Sequence, residues 1–151
     1  MLEAWSMHRI SRQEMKALSI RQPWLHAILH AGKDVENRSW QTNFRGWLAL
    51  HASRQPERKA RYPHGISVPD LATLPYSAIC GVARVVGVTS DSDSEWFFRP
   101  TDGTSNYGWV LADITPLIAP VPCKGALSLW TVPSSIVIEI HRQLPELRLG
   151  D

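Results

Sequence analysis

A chain of 151 residues with 44% hydrophobic and 20% charged side chains has the length of one domain. It is long enough to bury about two-thirds of its unfolded surface and too apolar for global disorder. The formal net charge is only +2 and there are two cysteines, Cys80 and Cys123, which excludes a disulfide framework or a zinc-cysteine site and points to a reducing cytoplasm.

Charge is distributed unevenly. Residues 1–62 hold 11 Lys or Arg against 5 acids, and residues 63–151 hold 5 against 9. A basic front half is either a solvated face or an electrostatic footprint for a polyanion. The seven Trp suit either a core or a stacking surface, since each joins a large apolar body to one polar handle. No apolar run approaches the ~20 residues needed to span a bilayer, and no membrane partner is expected.

Residues 1–14 carry no period and are expected to be a disordered N-terminal extension, with a domain over 15–143 and a tail over 144–151. Residues 16–21 alternate as a first strand. Pro23 suits the opening turn of a helix over 23–31, where its missing N–H costs nothing. Trp24, Ala27, Ile28 and Ala31 share one face at spacings of three and four, and Gly32 stops the helix. His26 and His30 stand at i, i+4, but no third ligand accompanies them, so neither a metal nor a cofactor is expected.

Residues 35–40 read as a strand, with Val35, Asn37 and Ser39 on one face and Glu36, Arg38 and Trp40 on the other. A turn over 42–46 leads into a strand over 46–53. Residues 54–65 are a basic, polar loop, and residues 67–75 contain two prolines. The most β-prone run covers 76–88, with Gly81 and Gly87 as bending points. An acidic, serine-rich break follows over 90–95; it lacks the glycine and closing glutamate of a calcium loop. A strand over 107–118, a rigid connector over 120–125 and a closing strand over 127–131 come next. The segment from Ser134 is read as a short helix capped by that serine, against the β-branched run Ile136, Val137 and Ile138.

Lys33, Glu36 and Arg38 stand at K-x-x-E-x-R spacing between the helix and the following strands. An ion pair stabilising the turn is one reading, worth about 0–1 kcal/mol if exposed. The other is a polyanion or nucleobase cleft, because two cations, the Trp40 indole and Arg45 lie on one short stretch. In that case Lys33 contacts a phosphate or carbonyl oxygen and Arg38 makes a bidentate contact. Glu36 orients a cation or accepts from an exocyclic amine, and Trp40 stacks or is buried in the core.

Gln22-Pro23-Trp24, Gly32, Lys33, Glu36, Arg38, Ser39, Trp40, Arg45-Gly46 and His51-Ala52-Ser53 together resemble the ASCH (activating signal cointegrator homology) domain, a branch of the PUA-like barrels associated with RNA. Cys80-Gly81, Tyr107-Gly108-Trp109, Lys124-Gly125 and Trp130 continue the likeness in order. One departure is that the family's G-x-K is written here as Gly32-Lys33, so the turn presenting the lysine is expected to differ by one residue. The resemblance implies an α+β fold: a small mixed PUA-like β-barrel with one main helix after the first strand and short peripheral helices. It also implies a cleft in which Lys33, Glu36 and Arg38 line a ligand site, with RNA or another nucleic acid as partner.

An enzyme is the alternative. Ribonuclease chemistry needs a base, an acid and a cation, for which His51, Tyr107 and Lys33 are the candidates. Some ASCH-like proteins resemble amidohydrolases acting on a modified cytidine, with the motif lysine, a threonine where Glu36 stands and a glutamate on a later strand. Here residues 79–88 contain Arg84 and no carboxylate, so matching residues for that activity are missing. A protein-interaction adaptor is the last class, and the chain lacks the extra domains such adaptors carry.

Overall fold

The computed structural model describes residues 14–149; the extension expected over 1–14 therefore lies, up to residue 13, outside the described residues. Six strands and two helices form one mixed α+β unit: β1 (Lys16–Ile20), α1 (Trp24–His30), β2 (Val35–Arg38), β3 (Gly46–Ala52), β4 (Ala78–Thr89), β5 (Tyr107–Pro122), β6 (Leu129–Thr131) and α2 (Ser134–Gln143). The sheet order is β2-β5-β4-β3-β1-β6, a curled half-barrel whose two end strands do not pair. β1 runs parallel to β3 and all other neighbours are antiparallel.

Alternation along the strands divides the core. Leu48, Leu50 and Ala52 of β3 join Leu18, Ile20, Leu25, Ile28 and Trp109 beneath α1. Ala49 joins Ala17, Ile79, Val82, Val137 and Ile140 beneath α2. Curling is concentrated in β4, whose pairing with β5 shifts register three times, between Ile79 and Gly81, Val82 and Arg84, and Val85 and Gly87. A β-carbon on Gly81 would lie 2.5 Å from Leu29 Cδ2 and 2.8 Å from the Thr115 carbonyl, so the bare backbone there lets α1 and β5 approach the bent strand.

Several local expectations are corrected. The connector expected over 120–125 is strand as far as Pro122, because Val121 and Pro122 pair with Ile79 and Ala78. The prolines are tolerated since β2 accompanies β5 only over Val110 to Tyr107, leaving a free edge for residues without an N–H. Ser134 does not cap α2; Pro133 holds that position and no side chain bonds to the helix start. The β-branched run is nevertheless helical, because Val137 and Ile140, three apart, are both buried against the sheet. Beyond α2, Leu144, Leu147 and Leu149 pack with the same cluster. β2 ends at Arg38, where pairing with Tyr107 ends, so Trp40 lies beyond the strand. Among the described residues no helix is long and apolar enough to cross a membrane.

Candidate functional site

α1 is anchored by Gln22, which is buried; its Oε1 accepts from the His26 N–H at 2.8 Å and its Nε2 donates to the Pro75 carbonyl at 3.2 Å. At the other end the N–H groups of Ala31 and Lys33 both reach the Ala27 carbonyl at 3.0 Å. Gly32, with φ of 81°, makes that tight wrap possible. The chain thereby turns the Lys33 side chain inward, where only 1% of it is exposed.

The Lys33 ammonium donates to the Val35 carbonyl and, at 3.1 Å, to Glu36 Oε1, and it lies 5.9 Å from the Trp24 ring centroid. Glu36 Oε2 accepts from Arg38 Nε at 3.1 Å and faces Arg38 Nη2 at 3.0 Å. Arg38 Nη2 also donates to the Ser19 carbonyl at 2.8 Å. The three side chains form the floor of a cavity of about 940 Å³. Of the three, Arg38 alone keeps substantial exposure, 23% against 9% for Glu36.

Four segments supply the walls. Trp24 comes from α1; Arg54, Arg61 and Tyr62 come from the loop after β3; Trp96, Phe97 and Phe98 come from the loop between β4 and β5; and Leu127 and Ser128 precede β6. Tyr62 stands between Trp24 and Trp96, at ring-centroid distances of 5.9 Å and 5.1 Å. Its hydroxyl donates to the Pro23 carbonyl, and burial pushes its pKa up to about 12, which removes it from acid–base work near neutrality. Asn37 ties the β4–β5 loop down: its Nδ2 donates to the Trp96 carbonyl, and its Oδ1 accepts from the Phe98 N–H and from Asn106 Nδ2, each at 3.0 Å. β2 thus supplies the floor through Glu36 and Arg38 and holds the wall through Asn37.

A model of the family described as ASCH domain matches residues 18–115. The chain belongs to the ASCH domain family. The proteins named activating signal cointegrator 1 in Homo sapiens and Mus musculus are each 25% identical over 130 residues, covering 79% of this chain and 22% of the relative. The chain thus spans about a fifth of the length of these curated relatives. The crystal structure of ASCH from Zymomonas mobilis superimposes with a TM-score of 0.54 at 15% identity, covering 89% of this chain and 96% of that one. A point mutant of the Zymomonas mobilis protein gives 0.55 at 13% identity, over 84% and 95%. At such identities the structures speak for the fold.

Within this ASCH domain the motif residues Lys33, Glu36 and Arg38 meet, and the other residues singled out from the sequence do not join them. Trp40 lies outside the cavity lining; its ring meets Trp109 edge-on at 4.8 Å, and its carbonyl accepts from Trp109 Nε1 at 3.2 Å. Arg45 turns back on its own loop, where Nη1 donates to the Thr42 and Phe44 carbonyls at 3.0 Å and 2.7 Å. Tyr107 lines a separate depression of about 310 Å³ beside Arg99.

His51 is buried. Its Nε2 lies 2.7 Å from the Cys123 carbonyl, which can only accept, so that nitrogen carries the hydrogen. Nδ1 is then the acceptor for the Ser19 hydroxyl at 3.0 Å, while Ser19 Oγ accepts from Trp130 Nε1 at 3.1 Å. Burial lowers the His51 pKa, with the Cys123 carbonyl acting in the opposite sense. Lys33, His51 and Tyr107, the ribonuclease candidates, thus occupy three different environments. His26 and His30 stack with ring centroids 5.0 Å apart, and among the described residues no group of three His, Cys, Asp or Glu forms a candidate metal site.

The residues missed from the sequence are the walls. Arg54 and Arg61 are exposed and, among the described residues, enter no ion pair. A tyrosine inside a basic loop and the run Trp96, Phe97, Phe98 inside an acidic one were the available signals.

Proposed function

We propose that this ASCH domain binds RNA, the phosphate backbone passing along Arg54 and Arg61 while a base enters the cleft above Lys33, Glu36 and Arg38. The observation that carries the reading is the pairing of two exposed arginines lacking carboxylate partners among the described residues with aromatic walls in one cavity. Cations without internal partners attract phosphate, and aromatic rings stack any base. The family's association with RNA-related proteins supports the same reading.

Lys33 has a different part from the phosphate contact expected of it. With 1% exposure and two internal acceptors, it stabilises the floor instead of reaching outward. The rim arginines take the phosphates. Titration of a fluorescent single-stranded RNA from low to moderate salt tests this, because each neutralised phosphate contributes about 0.7 to the slope of log affinity against log salt. Arg54→Ala and Arg61→Ala are expected each to weaken binding and to flatten that slope by about 0.7. Binding absent at low salt, or a slope unaffected by both substitutions, overturns the reading.

A further inference from the structure

We infer that the cleft floor selects a base with a keto oxygen where cytosine and adenine carry their exocyclic amine, namely uracil (O4) or guanine (O6), at one unstacked position of single-stranded RNA. This rests on the RNA-binding reading above. Arg38 carries five N–H donors. Nε and Nη2 face Glu36 Oε2, and Nη2 also donates to the Ser19 carbonyl. Among the described residues no hydrogen bond or ion pair occupies Nη1. A guanidinium fixed on two edges, lining the cavity and open on the third is a preorganised donor.

Glu36 does not offer the complementary acceptor. One oxygen faces Lys33 and the other Arg38, at 3.0 to 3.1 Å, and little of the side chain is exposed. The floor therefore presents a donor and calls for an acceptor. A phosphate is the weaker candidate there: the Glu36 carboxylate lies against the same guanidinium, whereas Arg54 and Arg61 offer cations at the rim without such opposition. A neutral carbonyl oxygen between aromatic walls fits both the charge and the shape. Uracil O4 and guanine O6 supply it, where cytosine and adenine place an amine.

The test compares oligoadenylates of about seven nucleotides whose central base is A, C, U or G, measured by fluorescence anisotropy with the full chain. One hydrogen bond to a charged donor predicts affinities about tenfold higher for the U and G oligomers than for the A and C ones. Arg38→Lys keeps the charge and loses the fork, and is expected to close that gap. Equal binding of the four RNAs by the parent overturns the keto selection while leaving RNA binding intact. A preference for A or C, for which the side-chain oxygen of Asn106 in the cavity lining is an available acceptor, also overturns it, as does an Arg38→Lys loss shared equally by all four. Binding to none overturns this inference and the RNA reading together. Should Arg38→Lys fail to fold, the parent's base preference alone decides.

Discussion

Ser19 belongs to two polar clusters that treat their hydrogen bonds differently. Its carbonyl accepts from Arg38 at the cleft floor, and its hydroxyl joins His51, Trp130 and, through His51, the Cys123 carbonyl. In the second cluster every donor named has an acceptor, and the ring of His51 meets Trp130 edge-on at 5.3 Å. Gly125 closes against it so tightly that a β-carbon would lie 2.5 Å from His51 Cε1 and 2.6 Å from Ser19 Oγ. The first cluster is equally ordered, but among the described residues no hydrogen bond or ion pair occupies Nη1 of Arg38, a residue that lines the cavity. A saturated network rigidifies; a network with one donor left over can also recognise.

The largest test of that contrast is Glu36→Ala. It strands the buried Lys33 ammonium without its carboxylate, and removing one partner of a buried pair costs about 3–5 kcal/mol. Urea denaturation should register that loss. Replacing the pair together, Lys33→Met with Glu36→Leu, should restore most of it, because the desolvation cost then disappears with the charges. A loss below about 1 kcal/mol in Glu36→Ala, the level of an exposed pair, would show that Lys33 reaches water and that the floor is not the ordered cluster described.

Gly125→Ala comes next. It pushes a methyl into His51 and Ser19 and should cost about 1–3 kcal/mol, as overpacking does, with little change in RNA affinity because the crowded groups lie in the saturated cluster. An equal fall in stability and in affinity would instead join the two clusters into one unit through Ser19.

The smallest expected effect is on pH dependence. His51 in the folded chain has its pKa lowered from 6.5, chiefly by burial. Its contribution to stability is therefore fully present above 6.5 and is lost as pH falls below that value toward the folded pKa, because the unfolded chain takes up the proton first. His26 and His141 are shifted in the same direction, both with burial as the leading cause. His51→Gln should accordingly leave a shallower, not a flat, decline in melting temperature between about pH 7.5 and 5.5, the span around the ordinary histidine pKa. An unchanged decline would remove His51 from the titrating set.

Local pattern determined much of this protein. Period two put Glu36 and Arg38 on one face, the spacing of three brought Lys33 to Glu36, and Gly32 marked the helix end that turns the lysine inward. Alternation in β3 and the glycine breaks in β4 were equally legible, since each depends on neighbours along the same strand. Period two also carried Trp40 onto the motif's face; there it misled, because the strand lasts only while Tyr107 is present to pair with Arg38. Only the tertiary structure decided that Lys33 is sealed, that Trp40 lies against Trp109, and that Arg54, Tyr62 and Trp96 close over the same floor. Periodicity reports which side chains share a face of one element. Depth, saturation of donors and the walls of a cleft depend on segments that meet across tens of residues, and those meetings are set by how the whole sheet curls.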